Sequence, residues 1–204
     1  MDIQTFNVAA LSGLNIRNIM SLFGTVIERK PHNASINIDL DGFRLPAVID
    51  NLIGNWVQVA DSQGGFVFDG YLIPERMPNK GESITDYANS LELSSSKHET
   101  ELEIEESFIL PDLTVQQAFL IARVLFDMSP QLLLPPILNE HNVIEEALPY
   151  GNVWEEQLSV SRDRWELSSI NYTRIYEGGA VTGTIVLVGD DGVGVEVILR
   201  TIAD

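Results

Sequence analysis

The chain has 204 residues, of which 30 are acidic and 12 are basic, so its formal net charge is −18. A surface this acidic repels phosphate backbones and argues against sequence-specific nucleic-acid binding. Cysteine is absent, which excludes disulfides, thiolate zinc sites and cysteine nucleophiles.

The first half of the chain predicts short antiparallel strands. Apolar and polar residues alternate over residues 34–40, which is the period of a half-buried strand. Pro46, in the extended segment that follows, is typical of an edge strand or a bulge. Residues 55–60 and 66–73 flank a polar, glycine-containing turn and predict a hairpin, in which Gly70 indicates a bulge or a bend.

The middle of the chain carries most of the excess negative charge. Residues 90–94 and 99–110 predict a second pair of strands. Alternation places Glu99, Glu101, Glu103 and Glu105 on one face of the second strand. This face is either a surface for a cation or basic partner, or a solvated face whose charge opposes aggregation, and we favour the second interpretation.

One helix is predicted near residues 114–128. Thr114 is a good N-cap, and Gln117 completes a capping box ahead of apolar residues at helical spacing. Pro130 disfavours helix at the residue before it, so we expect the helix to end near Met128. Residues 143–147 predict a short helical turn, whereas residues 151–161 fit neither a helix nor a strand.

The end of the chain predicts a hairpin of residues 182–188 and 193–198, joined by an Asp-Gly turn, after a strand at 171–176. These patterns predict a mainly β (α+β) fold, an antiparallel barrel or sandwich with one helix. We expect a β-barrel-like domain at residues 1–110. Residues 111–204 then hold the helix, an extended proline-containing segment and the hairpin, which either complete the same barrel or form a separate sheet.

The chain shows no motif of an active site, a metal site or a cofactor site. Its three histidines, His32, His98 and His141, lie too far apart in sequence to pair as zinc ligands through local spacing. Asp190 and Asp191 could serve a hydrolase, but a tight turn accounts for both. We therefore predict a protein that is not an enzyme and has no metal and no cofactor. No apolar run approaches the roughly 18 residues of a membrane span, so none is predicted.

An apolar segment after the helix is the candidate interface. Pro135 and Pro136 keep it extended, and an exposed apolar segment either packs across a core or binds a neighbour. We favour a contact between subunits of a homo-oligomer. The predicted interface residues are Leu132, Leu133, Leu134, Ile137 and Leu138.

A carbohydrate- or surface-binding module is the alternative function. Aromatic side chains can stack against sugar rings, although in this arrangement they more often serve as core or interface anchors. The residues that would form the platform are Trp154, Trp165, Tyr172 and Tyr176.

The segment Ile49–Ile73 resembles the first barrel of hub and baseplate proteins from phage tails and related injection machines. The resemblance is carried by a strand, a polar glycine turn and a strand that ends in Phe68-Asp69-Gly70-Tyr71. Residues 113–128 look like the capping-box helix that follows the barrel in that family. The resemblance spans residues 30–128 and implies a structural subunit that forms rings through its β domain. It also implies partners among other tail or baseplate proteins, and a place in the virion tail after assembly in the host cytoplasm.

Overall fold

A computed structural model describes residues 2–60, 64–137, 143–150, 154–163, 166–176, 180–190 and 193–202. The chain divides into two compact units, residues 1–77 and residues 78–204. Antiparallel β structure dominates the described residues, which confirms the predicted mainly β class. The described strands form three sheets, and none of these sheets closes into a barrel.

The first unit contains two antiparallel sheets. Its strands are β1 (Ile3–Val8), β2 (Leu14–Arg17), β3 (Val26–Lys30), β4 (Ser35–Asp39), β5 (Leu45–Ile49), β6 (Leu52–Gln58), β7 (Phe66–Phe68) and β8 (Leu72–Ile73). One sheet has the order β4-β1-β8 and the other has the order β3-β2-β7-β6-β5. A bridge between Ile38 and Val59 links the two sheets.

Alternation correctly predicted the inward residues of β4, since Ile36 and Ile38 are buried in the core of the first unit. The predicted hairpin of β6 and β7 is confirmed by the pairing of Trp56 with Phe68. Pro46 lies in β5, an edge strand, as its missing N–H donor predicts.

Gly70 marks a sharp bend. A single 3₁₀ turn over Asp69–Tyr71 divides the predicted second strand of the hairpin into β7 and β8, which belong to different sheets. A Cβ atom on Gly70 would lie 2.4 Å from the ring of Phe68, so the bend needs glycine. The Asp69 carboxylate fixes the turn by accepting the backbone N–H of Asn55 at 2.6 Å.

The second unit contains one large antiparallel sheet and two α-helices among its described residues. Its elements are α1 (Ile84–Ser90), β9 (Ser95–Glu99), β10 (Glu103–Leu110), α2 (Val115–Leu125), β11 (Val143–Tyr150), β12 (Trp154–Asp163), β13 (Glu166–Tyr176), β14 (Ala180–Asp190) and β15 (Gly194–Ile202). The strand order is β11-β12-β13-β14-β15-β10-β9. The inner side of α2, which includes the buried Phe119, contacts β13, β14 and β15. Neither α-helix is long enough to cross a bilayer, and the described residues contain no helix that is long and apolar enough to do so.

Two local signals identify α2 and the last hairpin correctly. The Thr114 hydroxyl accepts the N–H of Gln117, and the Gln117 side chain returns a bond to the N-cap backbone. The helix ends at Leu125, slightly before the predicted Met128. β14 and β15 pair as predicted, with Gly189 opposite Val195.

The predicted strand at residues 90–94 is wrong. Ser90 ends α1, whose N-cap Ser83 accepts the N–H of Asp86, and the strand begins only at Ser95. The prediction that four glutamates share one face of this strand is also wrong. The Thr100 hydroxyl accepts the N–H of Glu103 in a turn, which places Glu99 and Glu101 before β10 begins.

Two further assignments change in the second half. Residues 143–147 belong to β11 and not to a helical turn, because β11 pairs with β12 along its whole length. Most of the unassigned segment 151–161 forms β12, which pairs with strands on both sides. The two compact units divide after residue 77, and β10, which the expected boundary at residue 110 assigns to the first domain, pairs with β15 within the second unit.

Candidate functional site

The structure places the predicted interface residues in different environments. Leu132 and Leu134 are 0% and 1% exposed and belong to the core of the second unit. Leu133 is 40% exposed, and Ile137 is half-buried. Leu138 lies outside the described residues. The described part of this segment therefore offers Leu133 and Ile137 to a partner, and its interface role stays a prediction.

A buried polar cluster holds the chain after α2 against the sheet. Glu156, on β12, is fully buried, and its two carboxylate oxygens accept the backbone N–H of Ser129 at 3.2 Å each. The Tyr172 hydroxyl donates to Glu156 at 2.7 Å, and the Arg174 guanidinium lies 3.6 Å from the same carboxylate. We call these four residues the Glu156 cluster. Because both carboxylate oxygens are bonded within the chain, this geometry supports a structural role.

Two arginines extend the same attachment. Arg174 donates to the carbonyl of Phe126 at 2.9 Å, and the buried Arg162 donates to the carbonyl of Pro135 at 3.5 Å. Burial raises the pKa of Tyr172 above its ordinary value, and the hydrogen bond to Glu156 raises it further. Burial also lowers the pKa of Arg162. Charged side chains of the sheet therefore bind the backbone of the segment after α2 at several positions.

Among the side chains that the structure describes, most of the exposed apolar ones lie in the first unit. Of the 17 large hydrophobic side chains that are exposed among the described residues, 11 lie in residues 1–77. The charge is distributed in the opposite way. Residues 1–77 carry eight acidic and five basic side chains, a net of −3, while residues 78–204 carry 22 and seven, a net of −15. The first unit is therefore the better place for an apolar contact.

The connection between β2 and β3, residues 18–25, presents the most exposed of these side chains, and we call it the apolar loop. Phe23 is 98% exposed, Leu22 is 55% exposed and Ile19 is 50% exposed. No charged residue occurs between residues 18 and 27, in a chain whose net charge is −18. An apolar patch of this kind on a folded surface is typical of an interaction site.

Hydrogen bonds give the apolar loop a defined backbone. The Arg17 guanidinium donates to the carbonyl of Gly24 at 2.6 Å. The Asn18 side chain accepts the N–H of Thr25 at 2.9 Å, and the Asn18 N–H donates to the carbonyl of Thr25 at 3.1 Å. Phe23 is therefore held outward by an ordered turn, which reduces the entropy lost when the loop binds a partner.

The aromatic platform of the carbohydrate alternative is incomplete. Tyr172 is 2% exposed and bonded to Glu156, so it cannot stack on a ligand at the surface. Trp165 lies outside the described residues, and Trp154 pairs with Tyr176 along the backbone of neighbouring strands. In the described part of the chain, no three histidine, aspartate or glutamate side chains gather into a possible metal site.

The sequence interpretation missed the apolar loop. The sequence signal for this loop is the run of ten uncharged residues 18–27, which contains Phe23-Gly24. A run of this composition is also typical of a buried strand, so it did not identify an exposed loop. Comparison of the chain with protein-family models, curated proteins and solved structures found no match.

Proposed function

We propose that this protein is a structural subunit of a larger assembly and that its first unit docks onto a neighbouring subunit through the apolar loop. The observation that carries the proposal is the 98% exposure of Phe23 on a hydrogen-bonded turn. A folded protein gains nothing from presenting a phenyl ring to water, whereas a subunit gains a contact when a neighbour covers the ring.

The apolar loop offers a contact of moderate strength. Full burial of a large apolar side chain contributes about 1.5–3 kcal/mol, and the loop presents Ile19, Leu22 and Phe23 together. Part of this gain is offset by the loss of rotational and translational freedom. A contact of this strength is suited to repetition, because many weak contacts in one assembly add up to a stable structure.

We assign the assembly to the phage tail or baseplate type. The support is the resemblance of Ile49–Ile73, with its Phe68-Asp69-Gly70-Tyr71 ending, to the first barrel of such proteins. On this proposal the partners are further copies of the chain and other tail or baseplate proteins. The protein then acts by holding neighbours in place and not by catalysis.

The test is the solution mass of the purified chain, measured by light scattering and sedimentation velocity over a range of concentrations. We expect multiples of the 22.6 kDa mass for the wild type and a monomer for Phe23→Ser. Leu102→Ser is the matched control, since Leu102 is 80% exposed in a turn of the second unit. A wild type that stays monomeric, or a Phe23→Ser variant that assembles like the wild type, would contradict the proposal.

A further inference from the structure

An apolar patch with an acidic centre lies on the large sheet of the second unit. Val188 of β14 and Ile109 of β10 are each the register partner of Glu196 on β15, so the three residues form one row across three strands. Residues directly opposite each other in an antiparallel pair share one face of the sheet. Ile109 is 44% exposed, Val188 is 38% exposed, and Glu196 is exposed between them. We call these three residues the Glu196 patch.

The Glu196 patch lies on the face of the sheet opposite α2. Consecutive residues of a strand point to opposite faces, and the strand neighbours of the patch, Leu187, Val195 and Leu110, are buried. α2 packs on that buried side, since a Cβ atom on Gly189, which shares the face of Leu187, would lie 3.0 Å from Val115 of α2. The patch is therefore on the outer face, where a partner can reach it.

The apolar loop and the Glu196 patch match in shape. Neighbouring strands lie about 4.8 Å apart, so Ile109 and Val188, which are two strands apart, are separated by roughly 10 Å. A phenyl ring fits into this interval above the methylene groups of Glu196. Phe23 is the most exposed side chain of the apolar loop, at 98%. An aromatic ring held between aliphatic side chains is typical of the residues that anchor an interface.

The charges of the two surfaces are complementary. The Arg17 guanidinium, at the base of the apolar loop, donates to the Gly24 carbonyl and has no carboxylate partner among the described residues. The Glu196 carboxylate forms no hydrogen bond or ion pair with any described residue. Residues 12–31 carry a net charge of +2, whereas β10, β14 and β15 together hold five acidic residues and one basic residue. Opposite potentials of this kind bring two surfaces together and fix their orientation.

We infer that the apolar loop of one copy of the chain docks onto the Glu196 patch of a second copy. Phe23 enters between Ile109 and Val188 of the second copy, and Arg17 faces its Glu196. The inference rests on the proposed function, identifies the neighbouring subunit as another copy of the chain and names the surface that receives the loop.

Two other surfaces suit the apolar loop less well. A contact between two apolar loops brings together two segments that are both positively charged. The exposed apolar pair Phe43 and Leu45 in the first unit has Arg44 between its members, so it also presents a positive charge. Like charges across an interface oppose binding, which favours the acidic Glu196 patch.

The contact joins two different surfaces, because each copy contributes its apolar loop to one neighbour and its Glu196 patch to the other. A contact of this kind is heterologous and repeats from copy to copy. It produces a ring where the rotation between copies closes and a filament where it does not.

Substitutions in the Glu196 patch test the docking surface by sedimentation velocity. Glu196→Arg places a positive charge opposite Arg17, so we expect association roughly 10-fold weaker than that of the wild type. The patch variant Val188→Ser/Glu196→Arg also removes one aliphatic wall, and we expect association roughly 100-fold weaker. Ile202→Ser is the matched control and should associate like the wild type, because Ile202 is 56% exposed at the other end of the same strand. Circular dichroism of each variant separates a lost contact from a lost fold.

A mixture of two defective variants tests whether the loop and the patch bind each other. Phe23→Ser keeps an intact patch, and the patch variant keeps an intact loop. We expect each variant alone to be monomeric at a concentration where the wild type assembles. An equal mixture then forms one intact contact and stops at a heterodimer of twice the 22.6 kDa mass. A contact between two loops would give no heterodimer, because Phe23→Ser lacks the ring.

The outcomes separate this inference from the proposed function. A patch variant that assembles like the wild type, or a mixture without the heterodimer, would overturn the inference. If Phe23→Ser abolishes association while the patch variant assembles normally, the proposed function stands and the Glu196 patch is refuted as the docking surface. A wild type that remains monomeric at millimolar concentration refutes both.

Discussion

Replacing Glu156 by glutamine tests whether the Glu156 cluster stabilises the fold. Glutamine keeps the size of the side chain but removes its charge and turns one oxygen into an amide donor. The Ser129 N–H, which lies 3.2 Å from both oxygens, would then face a second donor. Arg174, 3.6 Å from the carboxylate, would lose its counter-charge.

The expected loss of unfolding free energy is about 3 kcal/mol. Breaking a buried ion pair by changing one partner costs about 3–5 kcal/mol. The lower end applies here because the Arg174 side chain is 30% exposed and can recover part of its solvation. The Tyr172 hydroxyl can keep an acceptor, since the glutamine carbonyl can take the position of the nearer oxygen, 2.7 Å away.

Urea unfolding of the wild type and Glu156→Gln measures this loss, and hydrogen exchange locates it. We expect faster exchange at the Ser129 amide, which the carboxylate protects in the wild type. Glu166→Gln, an exposed change on the neighbouring strand β13, serves as the control and should stay within about 0.5 kcal/mol of the wild type. A loss below about 1 kcal/mol for Glu156→Gln would refute the reasoning.

Three further predictions follow from single side chains. Gly70→Ala should lower the stability of the first unit by about 2 kcal/mol in thermal unfolding, because the new methyl group meets the Phe68 ring at 2.4 Å. Gly183→Ala, where the nearest atom is 3.7 Å away, should show no steric cost. Thr114→Ala removes the N-cap of α2 and should cost about 1 kcal/mol in urea unfolding, so an unchanged midpoint would contradict the capping role. The raised pKa of Tyr172 favours the folded state below the ordinary tyrosine pKa of 10.0, and this stability is lost as the pH rises above that value. Tyr172→Phe should therefore lose less stability than the wild type between neutral and strongly alkaline pH, and equal slopes would refute this assignment.

Local signals identified the elements whose structure depends on nearby residues. Ile36 and Ile38 alternate with polar neighbours, and both are buried as the alternation predicts. The Thr114–Gln117 capping box acts within one turn of helix, so the sequence contains all its parts. The same applies to the hairpin of β14 and β15, whose strands are neighbours in sequence and in the sheet.

Elements that depend on distant partners could not be predicted in the same way. α1 carries local signals, since Ser83 caps it and Ile84, Tyr87 and Ala88 follow helical spacing, but a helix of seven residues is stable only through the burial of these side chains. β11 became a strand through its partner β12, although residues 143–147 alone resemble a helical turn. Sheet membership was equally hidden, since β10 pairs with a strand that follows much later in the chain.

The candidate site shows why composition alone misplaces an interface. Leu132 and Phe23 are both large apolar residues in irregular segments, yet one is fully buried and the other is 98% exposed. Near Leu132, the Ser129 N–H donates to the Glu156 carboxylate, and this hydrogen bond holds the segment against the sheet. The apolar loop is instead a turn that its own hydrogen bonds complete, and its Phe23 side chain stays exposed.

The position of β10 in the large sheet has a consequence for synthesis on the ribosome. In the finished sheet β10 pairs with β15, with Glu103 opposite Ile202. Strands β11 to β14 are synthesised after β10 and before β15, and in the sheet β15 lies between them and β10. While those strands emerge, one edge of the β9–β10 hairpin has no native partner, and its exposed backbone could pair with another chain. The glutamates of β10, at positions 103, 105 and 106, supply repulsion during this interval. Once β15 is made, the Glu105 carboxylate accepts a hydrogen bond from Arg200 at 2.8 Å, so a charge that keeps nascent chains apart becomes part of the finished sheet.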